Sequence, residues 1–330
     1  MKKIVSLLLL ISLLLCSLAF VACGTETPTP PDSDSRISDD GATIHIGVMS
    51  GPTGMGMAKL ISDNGTASEK YVFDIYTDPK VAIGDLASGD LDMVCLPTNT
   101  AAAQAKAKSD YISVLVVNCL GSLYIMSDEN TEIESLSDLE GKTIYTSVPN
   151  STTKPILSYV LEKAGVHATI ETEVDHPTLV TRMADGADHA AVVVLPEPYV
   201  TKARMQYSNY SVDINLSTEW SRLSDNDLAM GCIVVRNEFL RAHEGAVQRF
   251  MTDYKGSVDY IAAAENLDTA AQMIVDTGIL GALPLAKTAL SNLSGSIVYR
   301  DGKAMKNTLI SFYNAIGQAL PDDAFYYEKK

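Results

Sequence analysis

From Thr43 onward the chain alternates short β-branched or aliphatic runs with stretches whose apolar positions recur at helical spacing. Thr43–Met49 alternates apolar and polar residues and predicts a first strand. The turn Ser50-Gly-Pro-Thr-Gly-Met-Gly-Met follows it, and Met57, Leu60 and Ile61 then share one helical face. Val72–Tyr76 predicts a second strand, Pro79–Ala87 a helix and Leu91–Leu96 a third strand, after which Pro97-Thr-Asn-Thr opens an alanine-rich helix. Strands and helices in this rhythm predict a parallel sheet with helices packed on it.

The rhythm changes at Tyr111–Asn118 and Ser122–Met126, two strand-like runs with only Cys119, Leu120 and Gly121 between them. A fresh α/β unit follows: strand Thr143–Ser147, helix Ser151–Ala164, strand Thr169–Val174, helix Thr178–Ala184 and strands Ala190–Leu195 and Tyr210–Ile214. Cys232–Arg236 predicts a strand leading back to the first unit. Asn237–Ala264, Leu267–Ile279 and Lys303–Leu320 read as helices, the first with Phe239, Val247, Phe250, Tyr254, Val258 and Ile261 as its apolar positions. The body is longer than one core usually absorbs. The expectation is therefore two α/β lobes, 42–120 plus 231–330 and 121–230, hinged at crossings near Cys119–Ser122 and Met230–Ile233. No solenoid repeat is present.

The N-terminus has its own pattern. Lys2 and Lys3 precede an apolar run, Ile4–Ala19, shorter than the ~20 residues of a membrane span, and small Val21 and Ala22 stand before Cys23. This layout resembles a bacterial lipoprotein signal, which implies removal of 1–22, lipidation of Cys23 and an extracytoplasmic body anchored to the cell membrane. Phe20 stands where such signals usually carry Leu, which leaves simple secretion as one alternative, and an uncleaved membrane anchor is the other. Cys16 follows bulky Leu15 and is a poorer lipidation site. Residues 23–41, rich in Thr, Pro, Ser and Asp, cannot bury enough surface to fold and predict a disordered tether.

Charge narrows the partners. Cleavage before Cys23 removes two of the 25 Lys and Arg and none of the 41 Asp and Glu, leaving −18. Nucleic acid and anionic lipid headgroups are excluded as main partners by this balance. Cys95, Cys119 and Cys232 lie in apolar runs without CxxC spacing, so they predict buried small hydrophobes; one disulfide among the three stays open. His45, His167, His176, His189 and His243 are scattered, and neither HExxH nor GxSxG occurs, so the expectation is no enzyme, no metal and no cofactor. Gly56 is followed by Met57 and Ala58, which rules out a P-loop.

With its lipoprotein-like start, the glycine-rich turn at Ser50–Met57, the segment Leu136-Ser-Asp-Leu-Glu-Gly-Lys-Thr-Ile144 and Leu195-Pro-Glu-Pro-Tyr199, the chain resembles substrate-binding proteins of ABC importers. The branch in question includes binders of nitrate, alkanesulfonates, taurine and thiamine-precursor pyrimidines. The resemblance implies a two-lobed type II periplasmic-binding-protein fold, monomeric, that closes on a small organic solute and hands it to a permease and its ATPase. Backbone N–H groups of a helix start are independently suited to an anionic or carbonyl group, and Gly51, Gly54 and Gly56 would let it approach. Candidate ligand contacts are Ser50, Thr53, Gly54 and Met55 in the first turn, Pro97, Thr98 and Asn99 after the third strand, and Asn118 before the first crossing. Ser147, Asn150, Ser151 and Thr152 are their second-lobe counterparts, with Glu197 in the Leu-Pro-Glu-Pro-Tyr loop and Trp220, the single tryptophan. Asn150 or Ser151 serves equally as an N-cap. Met49, Met55, Met57 and Trp220 favour a flat heteroaromatic solute, such as a thiamine-precursor pyrimidine, over nitrate; a sulfonate-like anion is the other class. A ligand-sensing lipoprotein and, more remotely, an enzyme of pyrimidine synthesis are the alternatives.

Overall fold

Two mixed sheets, each with an inner strand flanked by parallel neighbours, organise the chain. The computed structural model describes residues 38–65, 70–147, 151–184, 186, 188–224 and 226–329. The expected signal 1–22, Cys23 and most of the tether 23–41 lie outside the described residues, as does Asn150. Asp39–Lys330 forms one compact unit. No helix among the described residues is long and apolar enough to cross a membrane.

In chain order the elements are β1 (Ile44–Met49), α1 (Pro52–Met55), α2 (Ala58–Asn64), β2 (Tyr71–Tyr76), α3 (Pro79–Ser88), β3 (Met93–Pro97), α4 (Thr98–Ala107), β4 (Ile112–Leu120) and β5 (Leu123–Asp128). They continue with β6 (Thr143–Ser147), α5 (Thr153–Ala164), β7 (Thr169–Glu173), α6 (His176–Thr181), β8 (Val192–Pro196), α7 (Tyr199–Gln206), β9 (Tyr210–Asn215) and α8 (Leu216–Ser224). The last are β10 (Ala229–Arg236), α9 (Asn237–Ala242), α10 (Glu244–Ala262), α11 (Leu267–Asp276), α12 (Leu283–Asn292), β11 (Ile297–Asp301) and α13 (Gly302–Ala315). The first sheet has the order β11-β4-β10-β3-β1-β2 and the second β7-β6-β8-β5-β9. In each, the strand next to one edge pairs in parallel on both sides: β1 with β2 and β3, β6 with β7 and β8. The remaining pairs are antiparallel.

Burial follows from this layering. Eight of the nine residues of β4 are buried and so are all six of β5, as expected of strands covered on both faces. The period of two then divides β5 between cores: Leu123 and Ile125 join the large cluster that extends through the first sheet, whereas Tyr124 and Met126 join a smaller one with Val193, Leu195, Leu179 and Val200. Local signals start the helices. Asp78 accepts from Lys80 N–H at 2.8 Å to cap α3, Asp175 accepts from Thr178 N–H at 2.7 Å to cap α6, and Ser135 with Asp138 forms a capping box in the Ser-Asp-Leu segment.

The chain passes between the sheets at two places that lie side by side, since Gly121 N–H donates to Leu228 O at 2.7 Å. Gly121 has φ +68°, and a Cβ there would fall 2.2 Å from Ser217 Oγ, so only glycine fits. The expected return crossing at Met230–Ile233 already lies inside β10; the passage is made just before Ala229. The second-lobe helix expected over Thr178–Ala184 begins two residues earlier, at His176 behind its Asp175 cap, and ends at Thr181.

Candidate functional site

A strand sheet in which connections leave the central strand in opposite directions opens a crevice at its C-terminal edge. In the first sheet that crevice lies between the ends of β1 and β3, and in the second between the ends of β6 and β8. The two edges face one another: a Cβ built on Gly51, after β1, would stand 3.6 Å from Cδ of Pro198, after β8.

On the first edge Ser50 N–H donates to Tyr76 O at 2.7 Å, and Pro52 starts the four-residue α1. Gly54 and Met55 N–H return to the Gly51 carbonyl at 3.0 and 3.1 Å, so these donors serve the turn itself. The expectation that Gly54 and Gly56 open the backbone to a ligand is corrected. A Cβ on Gly54 would fall 1.9 Å from the Met49 carbonyl oxygen and one on Gly56 2.7 Å from the Tyr254 hydroxyl, so both glycines are demanded by packing. Thr53 is partly exposed, and its carbonyl accepts from Asn118 Nδ2 at 2.8 Å, which ties the turn to β4. Asn118 is itself buried, and its Oδ1 has no partner among the described residues. Met55 and Met57 have no exposed surface and Met49 has little; all three are core side chains. After β3, Pro97 and Asn99 are partly exposed. Thr98 is buried, its hydroxyl donating to Ala229 O at 2.7 Å and its carbonyl accepting from Tyr313 OH at 2.9 Å.

On the second edge Ser147 ends β6, buried, with its hydroxyl bonded to Nδ1 of His176. Ser151 Oγ donates to Ser147 O at 3.2 Å and accepts from Thr153 N–H at 3.4 Å, a local capping role. Thr152 is buried at the start of α5. Glu197, only 1% exposed, follows β8, and its own N–H donates to Ser122 O at 2.9 Å beside the crossing. Its carboxylate is fully engaged. Oε1 accepts from Asn292 Nδ2 at 2.7 Å and Thr201 Oγ1 at 3.0 Å, and Oε2 accepts from Thr201 N–H at 3.2 Å. Trp220 is wholly buried, its ring 4.7 Å from Tyr159 and 5.6 Å from Phe312. It therefore packs α8 against α5 and α13 and presents no surface to a solute.

Two side chains at the second edge escape a reading by sequence pattern, His176 and Tyr199. Each opens a helix directly behind a parallel strand, and their rings lie 4.6 Å apart at 33°. The signal that points to His176 is the pair Asp175 and Pro177 around it, a cap and a helix-start proline immediately after β7.

Electrostatically the edges are acidic or neutral. None of the residues Ser50–Met55, Pro97–Asn99, Ser151–Thr153 or Pro196–Tyr199 is Lys or Arg. Burial raises the Glu197 carboxyl above its ordinary range, opposed by the Asn292 and Thr201 hydrogen bonds. Burial also pushes the His176 imidazole down to about 4, against the pull of Asp175. No His, Cys, Asp and Glu cluster able to hold a metal occurs among the described residues. Cys95, Cys119 and Cys232 are free and buried, which closes the disulfide question for these three.

A family model described as NMT1/THI5 like matches residues 72–266, more than half of the chain. No curated protein sequence matches it. Among solved structures, an ABC transporter protein from Parabacteroides distasonis superposes with a TM-score of 0.70 at 18% identity, over 87% of this chain and 99% of that one. The periplasmic aliphatic sulphonate binding protein SsuA from Escherichia coli gives 0.66 at 17% identity, over 87% and 92%. The periplasmic nitrate-binding protein NrtA from Synechocystis PCC 6803 gives 0.58 at 12% identity, over 81% and 75%. With two sheets whose strand ends face each other and this family match, the chain belongs to the NMT1/THI5-like family and has the two-lobed α/β fold of periplasmic binding proteins.

Proposed function

We propose that the chain is the extracytoplasmic solute-binding component of an ABC importer, tethered through lipid on Cys23 and without enzymatic activity. Segment 121–230 closes against 42–120 plus 231–330 on a small organic solute, and the closed monomer delivers it to a permease driven by a separate ATPase. The observation that carries this reading is the opposition of the two crevices, with Gly51 set against Pro198. A solute that contacts both edges binds only the closed form, so its binding drives closure.

The electrostatics favour one solute class. An oxyanion buried here would meet no Lys or Arg from the strand-end segments and would approach a buried Glu197. A neutral heteroaromatic ring avoids that cost and suits the His176 and Tyr199 rings. The thiamine-precursor pyrimidines fit this description better than sulfonates do.

A thermal-shift screen of the purified protein against pyrimidines, thiamine precursors, alkanesulfonates, nitrate and amino acids tests both levels. At ~100 times its dissociation constant a true solute adds about 2.7 kcal/mol of stability. A dose-dependent rise with pyrimidines is expected. A rise with sulfonates alone would reject the solute class, and no rise with any member would reject solute binding as proposed.

A further inference from the structure

His176 is the one histidine of the five that directly follows the C-terminal end of a parallel strand, and its ring lies against Tyr199, the residue after Pro198. Three neighbouring parallel strands deliver the group: Ser147 closes β6, His176 follows β7 and Tyr199 follows β8. Ser147 is wholly buried, so its hydroxyl proton requires an acceptor. Among the described residues Nδ1 of His176 is the only side-chain atom bonded to Ser147 Oγ. A Ser147 hydroxyl that donates to Nδ1 leaves the ring proton on Nε2. Nε2 has no partner among the described residues, while the ring is braced by Tyr199 at 4.6 Å and only partly buried.

We propose that Nε2–H of His176 is a specificity-determining donor of the solute site, preset by Ser147 and backed by the Tyr199 ring, and that it takes a ring nitrogen or carbonyl oxygen of a planar solute. The assignment rests on the solute-binding reading above and adds the residue and the ligand chemistry. Burial keeps the imidazole neutral well below neutral pH, so the donor carries no charge. It therefore rewards a neutral acceptor and offers a full anion no ion pair. Tyr199 and Ser147 are positioning residues here, since they act through the imidazole.

Imidazole nitrogen NMR on the full-length protein reads the tautomer without any ligand, with His176 identified by the signal lost in His176→Gln. The Nε2–H form is expected, and an Nδ1–H form overturns the proposal. Thiamine-precursor hydroxymethylpyrimidine is the binding probe. His176→Phe keeps a ring against Tyr199 but removes the donor, and is expected to weaken the probe about tenfold or more without lowering the melting temperature. His176→Gln, which restores an N–H donor, should recover part of that loss. Wild-type binding that His176→Phe retains overturns this inference alone, whereas failure of the wild type to bind the probe overturns the solute class on which it rests.

Discussion

Asn292 ends α12, yet its side chain and carbonyl both reach the second sheet: Nδ2 donates to Glu197 Oε1 at 2.7 Å, and the carbonyl accepts from Tyr124 OH at 3.1 Å. If the lobes open by a hinge at Gly121 and Leu228, these bonds break, together with the one from Asn292 Nδ2 to Thr201 Oγ1 at 3.2 Å. Asn292→Ala removes the Glu197 contact, and with it the bond to Thr201 Oγ1, and keeps the carbonyl one. A hydrogen bond to a charged group contributes ~1.5–3 kcal/mol, and because Asn292 is itself exposed the lower end applies, about tenfold in the closed-to-open ratio. Two assays read this. The ligand-free radius of gyration in solution scattering should rise, and solute affinity should fall by up to about tenfold, since only the closed fraction binds. A variant with lowered melting temperature but unchanged radius and affinity would show that Asn292 is a static strut and would refute the hinge reasoning.

The same carboxylate predicts a pH dependence of definite sign. The Glu197 pKa is raised in the fold, so the group binds its proton more tightly folded than unfolded. Its contribution to stability is present below the unfolded carboxyl pKa, about 4.3, and is lost as pH rises through the higher folded value. Glu197→Gln resembles the protonated form and cannot titrate. Its stability relative to wild type should therefore increase as pH rises through that window and then level off, and a difference that stays flat across it would be incompatible with the assignment.

Two further outcomes follow from packing. Gly54→Ala places a methyl 1.9 Å from the Met49 carbonyl oxygen and 2.9 Å from Val48 Cγ1, where the first obstacle is backbone and cannot swing aside; a loss of ~1–3 kcal/mol is expected, seen as several degrees in the melting curve, and an unchanged midpoint would mean the turn relaxes freely. Phe312→Ala removes a wholly buried ring beside Trp220, so the emission of the single tryptophan should shift to the red with a loss of ~3–5 kcal/mol; an unshifted maximum would place water exclusion around Trp220 in other residues.

The elements that the hydrophobic pattern makes legible are those whose burial is periodic or complete. β6 matches its expected span residue for residue, and β4 and β5 reveal themselves as continuous apolar runs because both faces are covered. β11 escapes because it is an edge strand in which only Ile297 is buried, and α8 because Leu216 and Trp220 are its only buried residues. The ends of β1, β3, β6 and β8 are visible in sequence as abrupt changes from apolar to Gly, Pro, Ser and Thr, and these ends define the crevices. Side-chain direction is another matter, since it is decided by partners remote in the chain. Met55 and Trp220 are turned into the core by packing. Glu197 meets Asn292, 95 residues away, and Ser147 meets His176, 29 residues away. Neither pairing has a local signature, because each exists only once two strand ends or two lobes have come together. In this fold the backbone locates the cleft and tertiary pairing selects which polar atoms remain available in it. The polar groups free to recognise a solute are thus the ones that folding leaves without a partner, and among the described residues of the second edge Nε2 of His176 is one of them.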